Sequence, residues 1–280
     1  MKIVFWSEEQ DCGTTSNMIA AATMLASRRS CKVALIQTGK QLRDLSVNFT
    51  GREDHLVKED CSYYALKGMD YLLTAGKEGA ITREHLEEAL QIIGKGALYC
   101  LPQGNHVLSE YYPGERQKIL EQVIELTDEM MDFSFIDCGT EQDEWTKDQM
   151  KKADLVVVNF RQSSKGLDHF FANQQELAGK TVYFISSYQK DSIYNKKNIN
   201  RIYRIAPEKL GVVPYNPEFQ LACNLGKLDK YMKGKKTLLP TDMRDYFFEE
   251  LERAVQVLMQ NLTQDGEENH TETGTRGEGK

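Results

Sequence analysis

At 280 residues, 40% of them hydrophobic, the chain is long enough to bury one large α/β core, and length alone does not require a second domain. A net charge of -7 argues against a broad basic face and disfavours unspecific attraction to nucleic acid or anionic lipid, while leaving room for a local basic patch. Nowhere does the sequence approach the roughly 18 uninterrupted apolar residues of a membrane span, nor the charged lead of a signal peptide, so a cytoplasmic chain is expected.

The first predicted element is a strand at Lys2–Trp6. It runs into a polar turn, Ser7 to Gly13, after which residues 14–27 have the apolar spacing of a helix. Further strands are predicted at 32–37, 97–101, Phe133–Asp137, 154–159 and 181–186. Each is short, apolar and rich in Val, Ile and aromatics, as strands buried on both faces are. Helical patterns fall between them at 82–93, 115–130, 142–152 and 166–178, with Thr82 and then Thr241-Asp242 at positions suited to helix N-caps. The last helix, 243–262, carries Met243, Tyr246, Phe247, Leu251, Ala254, Val255, Leu258 and Leu262 as one apolar stripe. That stripe reads as a face packed on the sheet, and the acidic opposite face disfavours a lipid surface. From residue 263 to 280 no large apolar residue occurs, so a disordered polar tail is expected.

The alternation of strand and helix predicts an α/β fold: a doubly wound, mostly parallel sheet with helices on both faces, in a single domain over residues 1–262. Ligands of such a sheet bind beyond the carboxyl ends of its strands. Six cysteines (Cys12, Cys31, Cys61, Cys100, Cys138, Cys223) lie at no disulfide or metal spacing and read as reduced thiols, most of them small core residues.

The turn after the first strand is laid out like a phosphate-binding loop. Such a loop needs glycine so that backbone N–H groups surround the phosphates, a lysine to meet their charge, and a Ser/Thr hydroxyl for magnesium. Gly13 and Thr15 fit, whereas Thr14 stands where the lysine belongs. Glu8, Glu9 and Asp11 bring up to three negative charges to the same place. One misplaced unit charge at about 4 Å is worth roughly 4 kcal/mol at an effective dielectric near 20. Triphosphate binding should therefore fall by orders of magnitude unless magnesium, or a base such as Arg161 or Lys165 past the fifth predicted strand, compensates. The helix behind Gly13 still offers N–H groups and a favourable dipole to an anion.

Four separated pieces together resemble the MinD/ParA family of deviant Walker P-loop ATPases, which have the P-loop NTPase fold and position cellular machinery or partition DNA. The first is Glu9-Gln10-Asp11-Cys12-Gly13-Thr14-Thr15-Ser16, where the family pattern reads Lys-Gly-Gly-x-Gly-Lys-Thr-Thr. The second is Asp132-Phe133-Ser134-Phe135-Ile136-Asp137-Cys138-Gly139, whose Asp137 is similar to the family's magnesium-side carboxylate. The third, Gly211-Val212-Val213-Pro214-Tyr215-Asn216-Pro217-Glu218-Phe219-Gln220-Leu221-Ala222-Cys223-Asn224-Leu225-Gly226, resembles the segment that follows the last strand and lies near the adenine. The fourth, Ala97-Leu98-Tyr99-Cys100-Leu101-Pro102-Gln103-Gly104, is similar to a strand and turn lining the site.

The resemblance implies ATP or ADP with magnesium as cofactors, Thr15 and Asp137 on the metal, and Gly13, Thr14, Thr15, Ser16, Asp137, Arg161, Pro214 and Tyr215 around any nucleotide that is retained. It also implies protein partners, a homodimer, and a place at a membrane-associated machine reached through a partner. Two departures point away from an efficient ATPase: both lysine positions read Glu9 and Thr14, and the aspartate expected at the end of the second strand is Gln37, which orients water but cannot take its proton.

The sequence therefore reads as a positioning or scaffold factor with a degenerate Walker A loop, closest in character to the TadZ and CpaE proteins that place Flp-type pili. An ATP-binding switch or slow ATPase with a rebuilt loop is the alternative. A DNA-associated role is disfavoured by the acidic charge. The five histidines show no zinc-enzyme spacing, Ser163-Ser164 and Ser186-Ser187 read as loop residues without a histidine to activate them, and Cys12, although at a helix start, faces acids that raise its pKa.

Overall fold

Apolar runs that bury both faces become the strands of one sheet in the computed structural model, which describes residues 1–29, 31–39, 44–50, 67–94, 96–103, 113–173, 180–233 and 242–271. The strands are β1 (Lys2–Trp6), β2 (Val33–Gln37), β3 (Gln91–Ile93), β4 (Leu98–Cys100), β5 (Phe133–Asp137), β6 (Leu155–Arg161), β7 (Thr181–Tyr188) and β8 (Leu210–Pro214). Their spatial order is β3-β4-β2-β5-β1-β6-β7-β8. Every neighbouring pair is parallel except β3 with β4. From β1 the chain steps to one side for β2 to β5 and to the other for β6 to β8. The end of β1 is thus the point where the order reverses, the usual place for a ligand on such a sheet.

Helices cover both faces. On one lie α1 (Thr14–Arg29), α8 (Pro217–Asn224), α9 (Leu228–Lys233) and α10 (Asp242–Thr271). On the other lie α2 (Gly68–Ala75), α3 (Arg83–Ala89), α4 (Pro113–Met130), α5 (Glu144–Lys152), α6 (Ser164–Asn173) and α7 (Lys196–Tyr203). The first core joins Ile3, Phe5, Phe135 and Phe184 of the sheet to Met18, Leu25, Phe247 and Leu251 of the helices. Each such fully buried large side chain contributes about 1.5–3 kcal/mol relative to an exposed one. Gly211 lets α10 close on β8, because a Cβ there would meet the Phe184 ring at 2.6 Å and Ala254 Cβ at 3.1 Å.

The structure departs from the sequence expectation at several elements. The predicted helix 82–93 ends at Ala89; Leu90 is extended, and residues 91–93 pair antiparallel with β4. The run Gly211 to Pro214, read as following the last strand, is itself part of β8. Ser186 and Ser187, read as loop residues, belong to β7, and Ser164 opens α6. The helix predicted over 166–178 covers Ser164–Asn173, and residues 174–178 lie outside the described residues. α10 continues through Thr271, past the start of the expected polar tail, because extending a formed helix is easier than nucleating one; 272–280 lie outside the described residues. Phe247, Leu251, Ala254, Val255, Leu258 and Leu262 of its stripe are buried. Cys12, Cys31, Cys100, Cys138 and Cys223 form no disulfide among the described residues; Cys61 and Gly104 lie outside the described residues.

Candidate functional site

The loop after β1 is built around a left-handed turn. Gly13 has φ +72, and Asp11, which is not glycine, has φ 59. At Gly13 the space is filled as well as the dihedral unusual, since a Cβ would stand 2.8 Å from Ser186 Oγ and 2.9 Å from Ser186 Cβ. The Ser186 hydroxyl donates to the Cys12 carbonyl. Asn17, in the first turn of α1, donates to Ser186 Oγ at 2.7 Å and to Asn159 Oδ1 at 2.8 Å, while Asn159 donates to the Trp6 carbonyl at 3.2 Å. The carboxyl ends of β1, β6 and β7 are thereby tied to the loop through three buried polar side chains.

Thr14 is buried. Its hydroxyl donates to Ser7 Oγ at 2.8 Å, and Ser7 Oγ donates to the Glu9 carbonyl at 2.9 Å. The residue at the lysine position therefore points into the loop and braces it from within. Thr15 Oγ1 donates to Asp137 Oδ2 at 2.5 Å, and Asp137 is fully buried, with Oδ1 accepting from the Gly139 N–H at 3.0 Å. Ser16 is exposed at the next position.

The acids of the loop turn toward α6 and the end of β6. Glu8 Oε2 lies 3.0 Å from His169 Nδ1, an ion pair only when the imidazole is protonated, and it makes no hydrogen bond there. Glu9 Oε2 is packed at the start of α6, 3.1 Å from where a Cβ on Gly166 would stand. Arg161 Nε donates to the Asp11 carbonyl at 2.9 Å, and its Nη2 lies 3.6 Å from Asp11 Oδ2. Glu8, Glu9, Cys12, Asn159, Phe160, Arg161, Ser163 and Gly166 line a cleft beside the loop. Burial pushes the Cys12 thiol up, and Glu9 adds to the shift, so the thiol stays protonated instead of gaining thiolate character from the helix start.

Gln37 ends β2 fully buried and is a brace in this structure: its Oε1 accepts from the Leu45 N–H at 3.3 Å, and its carbonyl accepts from Gln103 Nε2. Arg116 completes that layer by donating to the Thr38 carbonyl at 2.6 Å and Gln103 Oε1 at 2.8 Å; burial lowers its pKa. Pro214 is buried at the end of β8, whereas Tyr215 is 47% exposed and reaches Gln220 at 3.5 Å. Asn216 then caps α8, accepting from the Phe219 N–H at 2.8 Å and the Tyr231 hydroxyl at 3.2 Å.

The sheet thus brings Gly13, Thr14, Thr15, Ser16, Asp137 and Arg161 to one edge, beyond β1, β5 and β6, with Pro214 and Tyr215 beyond β8 at the same edge. Against a nucleotide and magnesium the fit is divided. Thr15 and Asp137 form the oxygen pair that a hard divalent ion takes; on the phosphate side Thr14 is committed to Ser7, and the loop's neighbouring base, Arg161, is engaged with Asp11. Asn17 and Asn159 were not singled out by the sequence, and Ser186 was read only as a loop hydroxyl, although a buried-type polar residue ending each of two adjacent apolar strands is a signal that was there to read.

Several solved structures share this fold over nearly the whole chain. A ParA-family ATPase from Chlorobium tepidum TLS superposes with a TM-score of 0.66 at 12% identity, over 93% of this chain and 98% of that one. The cell division ATPase MinD of Pyrococcus furiosus gives 0.66 at 15% identity, over 92% and 98%. A putative plasmid partition protein from Borrelia burgdorferi, bound to AMPPNP, gives 0.61 at 14% identity, again over 92% and 98%. This is the fold of the MinD/ParA ATPases. No protein-family model matches the chain, and no curated protein matches it by sequence. The MinD/ParA fold accounts for the edge at which the site residues gather, and identities of this size carry the likeness no further than the fold. Among the described residues no helix is long and apolar enough to cross a membrane.

Proposed function

We propose that the chain is a MinD/ParA-like positioning or scaffold factor whose degenerate phosphate loop binds nucleotide weakly or not at all, and which works through protein partners as a homodimer. Placement of Flp/Tad-type pilus or secretion machinery is the task this reading favours. The observation that carries it is Thr14: a buried hydroxyl bonded to Ser7 stands where a phosphate loop needs a free cation. The acids Glu8, Glu9 and Asp11 stand on the same turn, so an incoming polyphosphate meets repulsion first. Calorimetry with Mg-ATP should then give little heat up to about 1 mM, with no turnover. ATP hydrolysis that an Asp137→Ala variant abolishes would overturn the reading.

A second reading has its own support. The Thr15–Asp137 pair is intact, and a related fold has been solved with AMPPNP. A nucleotide switch would use that pair for magnesium, with Gly13, Ser16 and Arg161 toward the phosphates and Pro214 and Tyr215 toward the base. Here charge is the missing part, so Thr14→Lys should raise Mg-ATP affinity at least about tenfold. No gain in the variant, with no binding in the wild type, sinks the switch.

A further inference from the structure

One run of this acidic chain is locally basic. Residues 189–204 hold five bases (Lys190, Lys196, Lys197, Arg201, Arg204) and one acid (Asp191), a net +4 that leaves -11 on the rest of the chain (-7 minus +4). Lys190, Lys197, Arg201 and Arg204 are exposed and form no ion pair among the described residues. Lys197 and Arg201 follow i, i+4 spacing and so share one face of α7, and Arg204 stands at its C-cap.

Local rules are broken at both ends of this helix. Lys196 and Lys197 occupy its first turn, with no acid there, although the helix dipole disfavours cations at that end. Arg204 closes it in the left-handed conformation, φ 54, where glycine or asparagine is the usual choice. Sequences depart from such rules where a site requires it. The turn ahead of the helix is held firmly: the Gln162 amide donates to the Gln189 and Tyr194 carbonyls, both at 2.9 Å, and accepts from the Gln189 N–H at 2.9 Å. That turn presents Ile193, which is 76% exposed.

We propose that α7 and the turn before it are a docking surface for an acidic segment of a protein partner, with Lys197, Arg201 and Arg204 meeting its carboxylates and Ile193 an apolar side chain beside them. The charge balance selects a short occupant. Eight helical residues span about 12 Å, enough for a few carboxylates, whereas duplex DNA or an anionic bilayer would extend past the helix and lie against a body carrying -11.

The test is fluorescence anisotropy of a labelled oligoglutamate peptide on the full chain at low salt and at about 0.15 M, where the Debye length is about 8 Å. Oligoglutamine serves as control, and phosphatidylserine vesicles and duplex DNA are parallel arms. Oligoglutamate should bind, oligoglutamine should not, and binding should weaken with salt. Lys197→Glu/Arg201→Glu should weaken it at least about tenfold, and Lys197→Gln/Arg201→Gln less, with circular dichroism unchanged in both. The proposal is overturned if oligoglutamate fails to bind, if the charge-reversed variant binds it as well as wild type, or if only vesicles or DNA respond to these substitutions. Mg-ATP calorimetry on the same variants is indifferent to this outcome.

Discussion

Gly13 shows how much a single position decides in this loop. Alanine there would be strained by φ +72 and would drive a methyl into Ser186. Gly13→Ala should therefore destabilise the chain by about 1–3 kcal/mol, read from the shift of a urea midpoint. Ser186→Gly on that background should recover only part of the loss, since it frees the space and leaves the dihedral; full recovery would mean that φ is not the constraint. The residue also illustrates what the sequence disclosed about the site. Gly13, Thr15 and Asp137 stand out because local order, strand then turn then helix, announces them. Ser186, 173 residues further on, does not, because only the pairing of β1 with β6 and β6 with β7 brings it under the loop. Gln37 shows the converse: it was read for what it lacks, a carboxylate, and the structure gives it a bracing part on Leu45 and Gln103.

Elements were legible where composition alone fixes them. β1 and β5 were read to the residue, being apolar runs bounded by polar turns. β3 was hidden inside a helical period, because its three residues become a strand only through hydrogen bonds to β4, and no local propensity encodes a partner. β8 was taken for a connecting segment, its glycine and proline masking a strand that packs under α10. Beyond β8, Asn216 both caps α8 and receives the Tyr231 hydroxyl of α9. Asn216→Ala should cost about 1 kcal/mol or somewhat more, the usual loss of a cap plus one hydrogen bond. Chemical denaturation measures that loss, and a Tyr231→Phe/Asn216→Ala cycle separates the two parts. A cost no larger than Tyr231→Phe alone would show that the cap is idle.

At the scale of the whole molecule, burial of weak acids makes the fold sensitive to alkali. Burial pushes the Cys138 thiol from about 9 up to about 12 and holds Cys100 well above its ordinary value; Cys12 and Tyr183 are raised for the same reason, and Tyr246 is pushed up to about 12. The sign follows directly. A raised folded-state pKa means that the stability these groups allow is fully present below pH 9, where the unfolded thiols are still protonated, and is lost as pH climbs from about 9 toward about 12. Over that window each buried thiol removes up to about 1.4 kcal/mol per pH unit. Lys196 and Arg116 work the other way, since burial lowers their pKa values and favours their neutral forms in the fold, but they are two groups against several. Urea midpoints measured under reducing conditions at pH 8, 9 and 10 should therefore fall progressively. Cys138→Ala should start from lower stability, because it leaves a small cavity, and decline with a shallower slope. A midpoint that stays level or rises between pH 8 and 10 would show that these thiols reach water in the native state, and the packing beneath β2 and β5 would have to be looser than the structure has it.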